Sequence, residues 1–225
     1  IKIGQRGRGE IVLETFGKPC HSANPEKGIN AVYKMAKVIE AIRTLEPTHH
    51  PVLGDGILEL TDIKSAPYPG ASVVPEYCRA TYDRRLLVGE TKESVLAPIQ
   101  ELLDKLMAED PQLKAKVSYA VGKEQCYTGN EITGERFFPG WLYDEKDEFV
   151  QDVKKELEGM GYTPEITQYN FCTNGSHYAG EAGIKTFGLG PSKENLAHTV
   201  NEYIEIDQLT KVTDCYYGVM KALLK

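Results

Sequence analysis

Glu10-Ile11-Val12-Leu13-Glu14-Thr15-Phe16, stopped by Gly17, is the run whose reading decides the fold of this chain. Its β-branched and aromatic residues suit a strand. Beyond a polar loop comes Asn30, after which Val32, Met35, Ala36, Ile39, Ile42 and Leu45 recur at helical spacing. Asn30 is placed to cap that helix and Pro47 to end it. Burying its apolar face contributes roughly 1.5 to 3 kcal/mol per large side chain, before conformational entropy is subtracted. Residues 56–63 and 73–87 read as two more strands, joined through Pro67-Tyr68-Pro69-Gly70 and pairing antiparallel. A second helix over 91–108 carries Val95, Ile99, Leu102, Leu103 and Leu106 on one face, with Asp110-Pro111 as its stop. Pro98 inside it predicts a kink or a late start near Ser94. Residues 113–121 form the last strand. The order strand, helix, strand, strand, helix, strand is that of the split βαβ, ferredoxin-like unit: four antiparallel strands with two helices on one face.

Upstream of the decisive run, residues 1–4 read as a strand end and Gln5-Arg6-Gly7-Arg8-Gly9 as a flexible crossing. Three segments follow: 1–8 as strand and linker, 9–122 as the ferredoxin-like domain, and 123–225 as a different body. In that last body 123–140 reads as loop, 144–158 as a helix, 163–168 as a strand, 176–182 as a short helix and 185–189 as a buried strand. A closing helix over 206–224 sets Leu209, Val212, Tyr216, Val219 and Leu223 along one side. Strands alternating with helices indicate part of an α/β layer, so the predicted class is α+β followed by α/β. So few strands make a poor free-standing sheet.

The 225 residues carry a net charge of -7, a pI near 5.4 and 41% apolar residues. That composition builds real cores and disfavours a polyanion-binding surface, so nucleic acid is not an expected partner. No apolar run is long enough to span a membrane, and the first residues resemble neither a signal peptide nor a natural start. The chain reads as cut from something longer. Five cysteines, Cys20, Cys78, Cys126, Cys172 and Cys215, are widely spaced without any Cys-x-x-Cys, which predicts reduced thiols and a cytoplasmic protein.

Two stretches carry candidate chemistry. Gly17-Lys18-Pro19-Cys20-His21-Ser22-Ala23-Asn24-Pro25-Glu26-Lys27-Gly28-Ile29-Asn30-Ala31 links the first strand to its helix, and by spacing alone it is an elaborate connection. Ala197-His198-Thr199-Val200-Asn201-Glu202 follows Gly188-Leu189-Gly190-Pro191; on a helix His198 and Glu202 would share a face. Taken alone, a histidine there is a hydrogen-bonded structural residue more often than a ligand. Arg85, on a strand beside Asp83, suits a carboxylate equally as ligand or as a surface partner.

Together these stretches resemble the zinc aminoacylase-type metallopeptidase family, which includes acetylornithine deacetylase, succinyl-diaminopimelate desuccinylase and carboxypeptidase G. The resemblance implies that residues 9–122 are a lid, or dimerisation, domain and that 123–225 are the C-terminal part of the catalytic α/β domain. It makes His198 a metal ligand and His21 a donor to the scissile carbonyl oxygen of the substrate in the partner's active site. It makes Arg85 and Ser72 substrate-binding, although Ser72 stands where the family usually has asparagine. Asn174 and Gly175 are further substrate-binding candidates, in a segment that departs from the family's Gly-Thr-Asp type loop. The expected partners are a second copy of the chain and a small peptide or N-acyl amino acid. The expected cofactor is zinc, two ions in the intact parent. Neither His-x-Asp nor Glu-Glu occurs, so this chain by itself is expected to hold no tightly bound zinc and to be inactive. The competing reading is a non-catalytic dimerising or ligand-binding module with both histidines structural.

Overall fold

A computed structural model describes residues 1–224 and divides them into two compact units, residues 6–140 and residues 1–5 with 141–224. These divisions fall at Gln5/Arg6 and Gly140/Trp141 rather than at 8/9 and 122/123. Residues 5–9 are no flexible crossing. The chain opens with β1 (Lys2–Gln5) and after one residue enters β2 (Gly7–Phe16), whose Gly7 and Gly9 are buried. Glycines that would loosen a loop here let neighbouring backbone approach a strand, because a Cβ on Gly7 would overlap the main chain of 138–140.

β2 is the centre of the larger unit. Asn30 caps α1 (Ala31–Ile42), its Oδ1 accepting the Val32 and Tyr33 N–H groups. The helix buries Ala31, Met35, Val38 and Ile42, while the expected Ala36 is exposed. A small ribbon, β3 (His49–His50) with β4 (Gly54–Asp55), leads to β5 (Ile57–Ala66) and β6 (Tyr77–Leu86). α2 (Lys92–Glu109) then runs through Pro98. Its start is not delayed, because Thr91 and Ser94 exchange reciprocal capping bonds ahead of the proline.

β7 (Lys114–Tyr119) returns beside β2. β2 pairs β6 antiparallel from Gly7↔Leu86 to Phe16↔Tyr77, β6 pairs β5, and β5 is one edge of the sheet, with β7 and β10 along the other. The order β7-β2-β6-β5 is that of the ferredoxin-like unit read from the sequence. Ile11, Leu13, Met35, Val38, Ala80, Leu86, Leu103 and Val117 make one core between sheet and helices. Segment 123–140 contains a hairpin rather than only loop: β8 (Val121–Gln125) pairs β9 (Glu131–Glu135), and β10 (Phe137–Phe138) rejoins β2. The hairpin is exposed on both faces, so no apolar alternation announced it.

The smaller unit has a three-stranded sheet, with β1 between β11 (Trp141–Leu142), antiparallel, and β12 (Thr167–Tyr169), parallel. α3 (Glu148–Gly159) packs on α4 (Ile206–Leu223) through Val153, Leu157 and Ala222. The expected strand over 185–189 is a single bridge, Gly188 to Lys2. β11 already occupies Gly4 and Gln5 of the four-residue β1, so the remaining edge accepts one residue only. α4 buries Val212, Gly218 and Ala222, while Leu209, Tyr216 and Leu223, expected to face inward, are 42–45% exposed. Among the described residues no helix is long and apolar enough to cross a membrane.

Candidate functional site

The loop from Gly17 to Asn30 is held by main-chain bonds and by two glycines. Lys18 and Ile29 exchange N–H···O bonds of 2.9 Å each, pinching the loop at its base. A Cβ on Gly17 would overlap the Ile29 carbonyl, and one on Gly28 would lie 2.5 Å from Cys20 Sγ and 2.7 Å from the Lys18 oxygen. Only residues without a side chain allow that pinch. The loop then docks on the segment between β5 and β6. Ser22 N–H donates to the Ser72 carbonyl at 2.8 Å, Val74 N–H to the Cys20 carbonyl at 2.9 Å, and His21 bridges Val73.

His21 and Ser72, fifty-one positions apart in sequence, therefore lie on adjacent, mutually bonded loops. The His21 ring is exposed, and its Nδ1 accepts the Ala23 N–H at 3.0 Å. In the neutral ring this places the proton on Nε2, leaving a donor directed away from its own loop. Such a donor suits a carbonyl oxygen on which negative charge develops.

Arg85 lies elsewhere. Its Nε pairs Asp83 Oδ1 at 2.8 Å, and Asp83 Oδ2 receives Arg8 Nε at 2.7 Å. Glu10 lies 3.6 Å from Arg8 and 3.5 Å from Arg136. With Glu59 directly opposite Asp83 on β5, three guanidinium groups share this face with three carboxylates, so Arg85 sits in a balanced network in which Asp83 is its partner. Tyr77 and Arg85 are eight positions apart on extended β6, so about 26 Å separates them, and Ser72 precedes Tyr77. One copy of the chain cannot bring Ser72 and Arg85 to the same small carboxylate.

In the smaller unit the turn bearing Asn174 and Gly175 is pinned to β1 by Gln5, a fully buried residue that sequence reasoning placed in a crossing. Gln5 Nε2 donates to the Thr173 carbonyl at 3.2 Å and to Ser176 Oγ at 3.0 Å, while Thr173 Oγ1 donates to Gln5 Oε1 at 2.6 Å. A glutamine inside a strand-like run was the one available signal. The Asn174 carbonyl accepts the His177 N–H and opens a π-helical turn, Ser176–Glu181, in which His177 Nδ1 lies 2.8 Å from Glu181.

His198 and Glu202 are not on a helix. A short 3₁₀ turn, Glu194–Leu196, ends before them, and His198 and Asn201 take φ of 61° and 60°. Non-glycine residues with such φ store strain of order 1 to 3 kcal/mol and concentrate at functional loops. The two residues do meet, but through the backbone: His198 N–H donates to Glu202 Oε2 at 3.0 Å. The exposed imidazole is left outward. Beside it, a shallow cavity of about 330 Å³ is lined by Tyr169, Phe171, Gly188, Pro191, Ala197 and Glu202. Among the described residues no three His, Cys, Asp or Glu converge on one point. His198 alone does not fix a metal ion and leave an open position, so this chain's own residues do not fit a catalytic zinc centre.

Residues 3–111 match the peptidase dimerisation domain family. The uncharacterised protein YgeY of Escherichia coli strain K12 is 34% identical over 202 residues, covering 88% of this chain and 49% of YgeY. Succinyl-diaminopimelate desuccinylase of Rhodopseudomonas palustris is 25% identical over 227 residues, 100% of this chain and 53% of that enzyme. The crystal structure of aminopeptidase PepT from Bacillus cereus shares the fold with a TM-score of 0.72 at 20% identity, covering 100% of this chain and 54% of PepT. The chain spans about half the length of the curated relatives it matches. With the ferredoxin-like sheet order and the pinched His21 loop, these matches identify the chain as a member of the M20 metallopeptidase and deacylase family, carrying that family's dimerisation domain.

Proposed function

We propose that the chain forms the dimerisation domain and the C-terminal part of the catalytic domain of a metal-dependent amide hydrolase, either a peptidase or an N-acyl amino-acid deacylase. The observation that carries the reading is the His21 loop, locked against the Ser72 loop with a free Nε2–H. His21 donates that proton in a hydrogen bond to the scissile carbonyl oxygen, and the Ser72 hydroxyl is a second, shorter donor beside it. Arg85, at the opposite end of β6, binds the carboxylate of a substrate in the other site of a homodimer. Two copies are then needed for either site, and the free edge of β5, with Ile57 and Ile63 exposed, is the surface on which they pair. His198 is one metal ligand, and the rest come from outside these 225 residues. The metal would be zinc, two ions in the intact parent, and would supply an activated water there. The exposed apolar side chains of α4 and the three short strands of the smaller unit fit a body completed by further polypeptide. All five cysteines are unpaired, which fits a cytoplasmic protein.

The test uses the full-length parent. His198→Ala should lower metal occupancy and rate together, whereas His21→Ala should leave metal in place and lower kcat by roughly 10² to 10³. A mixture of the two inactive variants should regain activity, because a heterodimer holds one intact site. If subunit exchange is verified and the mixture stays inactive, His21 does not act across a dimer. The second reading, a non-catalytic module, requires a parent without metal; about two zinc ions per chain would exclude it.

A further inference from the structure

The central unit contains a cavity to which the hydrolase reading assigns no ligand. It lies over β5 and β6, between the C-terminal end of α1 and the first turns of α2, and has a volume of about 540 Å³. That is within the range of small-molecule sites. Its walls mix apolar side chains, Ile39, Leu45, Leu58, Leu60, Val95 and Pro98 among them, with polar and charged ones. Two polar features distinguish it from a packing defect. Tyr82, from β6, lines it at 3% exposure, and its buried hydroxyl has no hydrogen-bond partner. A buried phenol without a partner is costly, and native structures seldom leave one unless something else satisfies it. Burial, then the charges of Glu59 and Glu40, push this phenol up to about 12, so it remains a neutral donor. Glu59 and Glu40 are also among the cavity's lining residues.

The second feature is the sign of the surrounding charge. Arg84, the one buried cation of the lining, is consumed by Glu90 at 2.5 Å, by Thr48 and by the Ile57 and Arg85 carbonyls. Arg43 pairs with Glu40. Glu46 and Glu59 remain without a cation among the described residues, so the rim is acidic and an anionic ligand is disfavoured.

We infer that this cavity is a binding site for a small uncharged or cationic molecule with an apolar body and one hydrogen-bond acceptor, which takes the Tyr82 hydroxyl. The inference rests on residues 6–140, and because Leu58, Glu59 and Leu60 of β5 line the cavity it requires the β5 pairing proposed above to leave the mouth open.

Nile red, a neutral dye with a fused aromatic body and one conjugated carbonyl, is the probe. Titrated into the 225-residue chain, it should show saturable one-to-one binding with blue-shifted emission. Tyr82→Phe should weaken that binding roughly 3- to 10-fold, the value of one neutral hydrogen bond, while leaving the melting temperature equal or higher. Leu45→Trp, which fills the mouth, should abolish it, and anionic anilinonaphthalene sulfonate should not displace the dye. The inference is overturned if no saturable binding occurs, or if both variants bind as tightly as the parent. It also fails if binding is lost in step with self-association, which would mean that a second copy fills the cavity.

Discussion

Glu90, in the turn between β6 and α2, ties the end of β6 to Thr48, and replacing it by alanine tests how the central unit is held together. Its Oε1 receives Arg84 Nη2 at 2.5 Å and Thr48 Oγ1 at 2.8 Å; its Oε2 receives the Leu87 N–H at 2.8 Å. The Arg84 and Glu90 side chains are only 9% and 13% exposed. Glu90→Ala therefore leaves a buried guanidinium without its counter-charge, a loss of about 3 to 5 kcal/mol. Arg84 keeps its carbonyl and threonine partners, which favours the lower end of that range. Glu90→Gln retains acceptor capacity and removes the charge, so it should cost about 2 kcal/mol. For a chain of this length each kcal/mol moves the melting point by about 2 to 4 °C, so the alanine variant should melt roughly 6 to 20 °C lower. Urea unfolding followed by far-UV circular dichroism gives the magnitude, with the midpoint moving and the slope unchanged. Hydrogen exchange of β2 and β6 amides locates the loss in the central unit. Arg84→Met combined with Glu90→Leu should recover much of it, because the isolated buried charge is gone. An alanine variant within about 1 kcal/mol of the parent, and equal to the glutamine variant, would mean that the pair is solvated. The desolvated wall assigned to the cavity would fall with it.

Three further outcomes are expected. The Lys34 hydrogen bond, followed by the Gln112 N–H and the charges of Lys34 and Lys37, holds the Asp110 carboxyl below its usual range. A lowered folded value gives stability that is full above the ordinary carboxylate range and lost as pH falls through the folded value. Lys34→Met should thus lower the urea midpoint at about pH 7 and cost little near about pH 2; equal losses at both would remove the electrostatic explanation. Asn30→Ala should destabilise the chain by about 1 kcal/mol in the same assay, since two N–H groups at the start of α1 lose their acceptor. Finally, the isolated chain, dialysed against metal-free buffer, should carry less than stoichiometric zinc by atomic emission and hydrolyse neither dipeptides nor N-acyl amino acids. One tightly held zinc per chain would show that these residues suffice as ligands.

Much of the central unit was legible in the sequence because its signals are short-range. Asn30 caps a helix within three residues, whereas Pro98 obscures the reciprocal Thr91 and Ser94 cap in the sequence. Ile11 and Leu13, or Val95, Ile99 and Leu103, sit on one face by the period of their own element. The order of those elements then leaves few topologies, and the ferredoxin-like one is the sheet observed. The sequence motifs likewise located His21 and His198, but not what surrounds them.

Tertiary structure decided whatever depends on partners distant in the chain. Whether Gly7 and Gly9 loosen a linker or admit a neighbouring strand depends on residues 119–140, which no local window contains. Residues 185–189 have the composition of a strand, yet β1 has room for a single bridge. α4 is apolar on more than one side, and packing against α3 selects Ala222 for burial over Leu223. His21 and Ser72 meet because two loops exchange main-chain bonds, which leave no trace in side-chain identity. Arg85 and Ser72 separate because β6 is extended between them. The cavity at Tyr82 exists only where two helices and two strands fail to close. Periodicity and capping are properties of consecutive residues and can be read from them, whereas burial and pairing depend on residues far apart in sequence and are fixed only when the chain has folded.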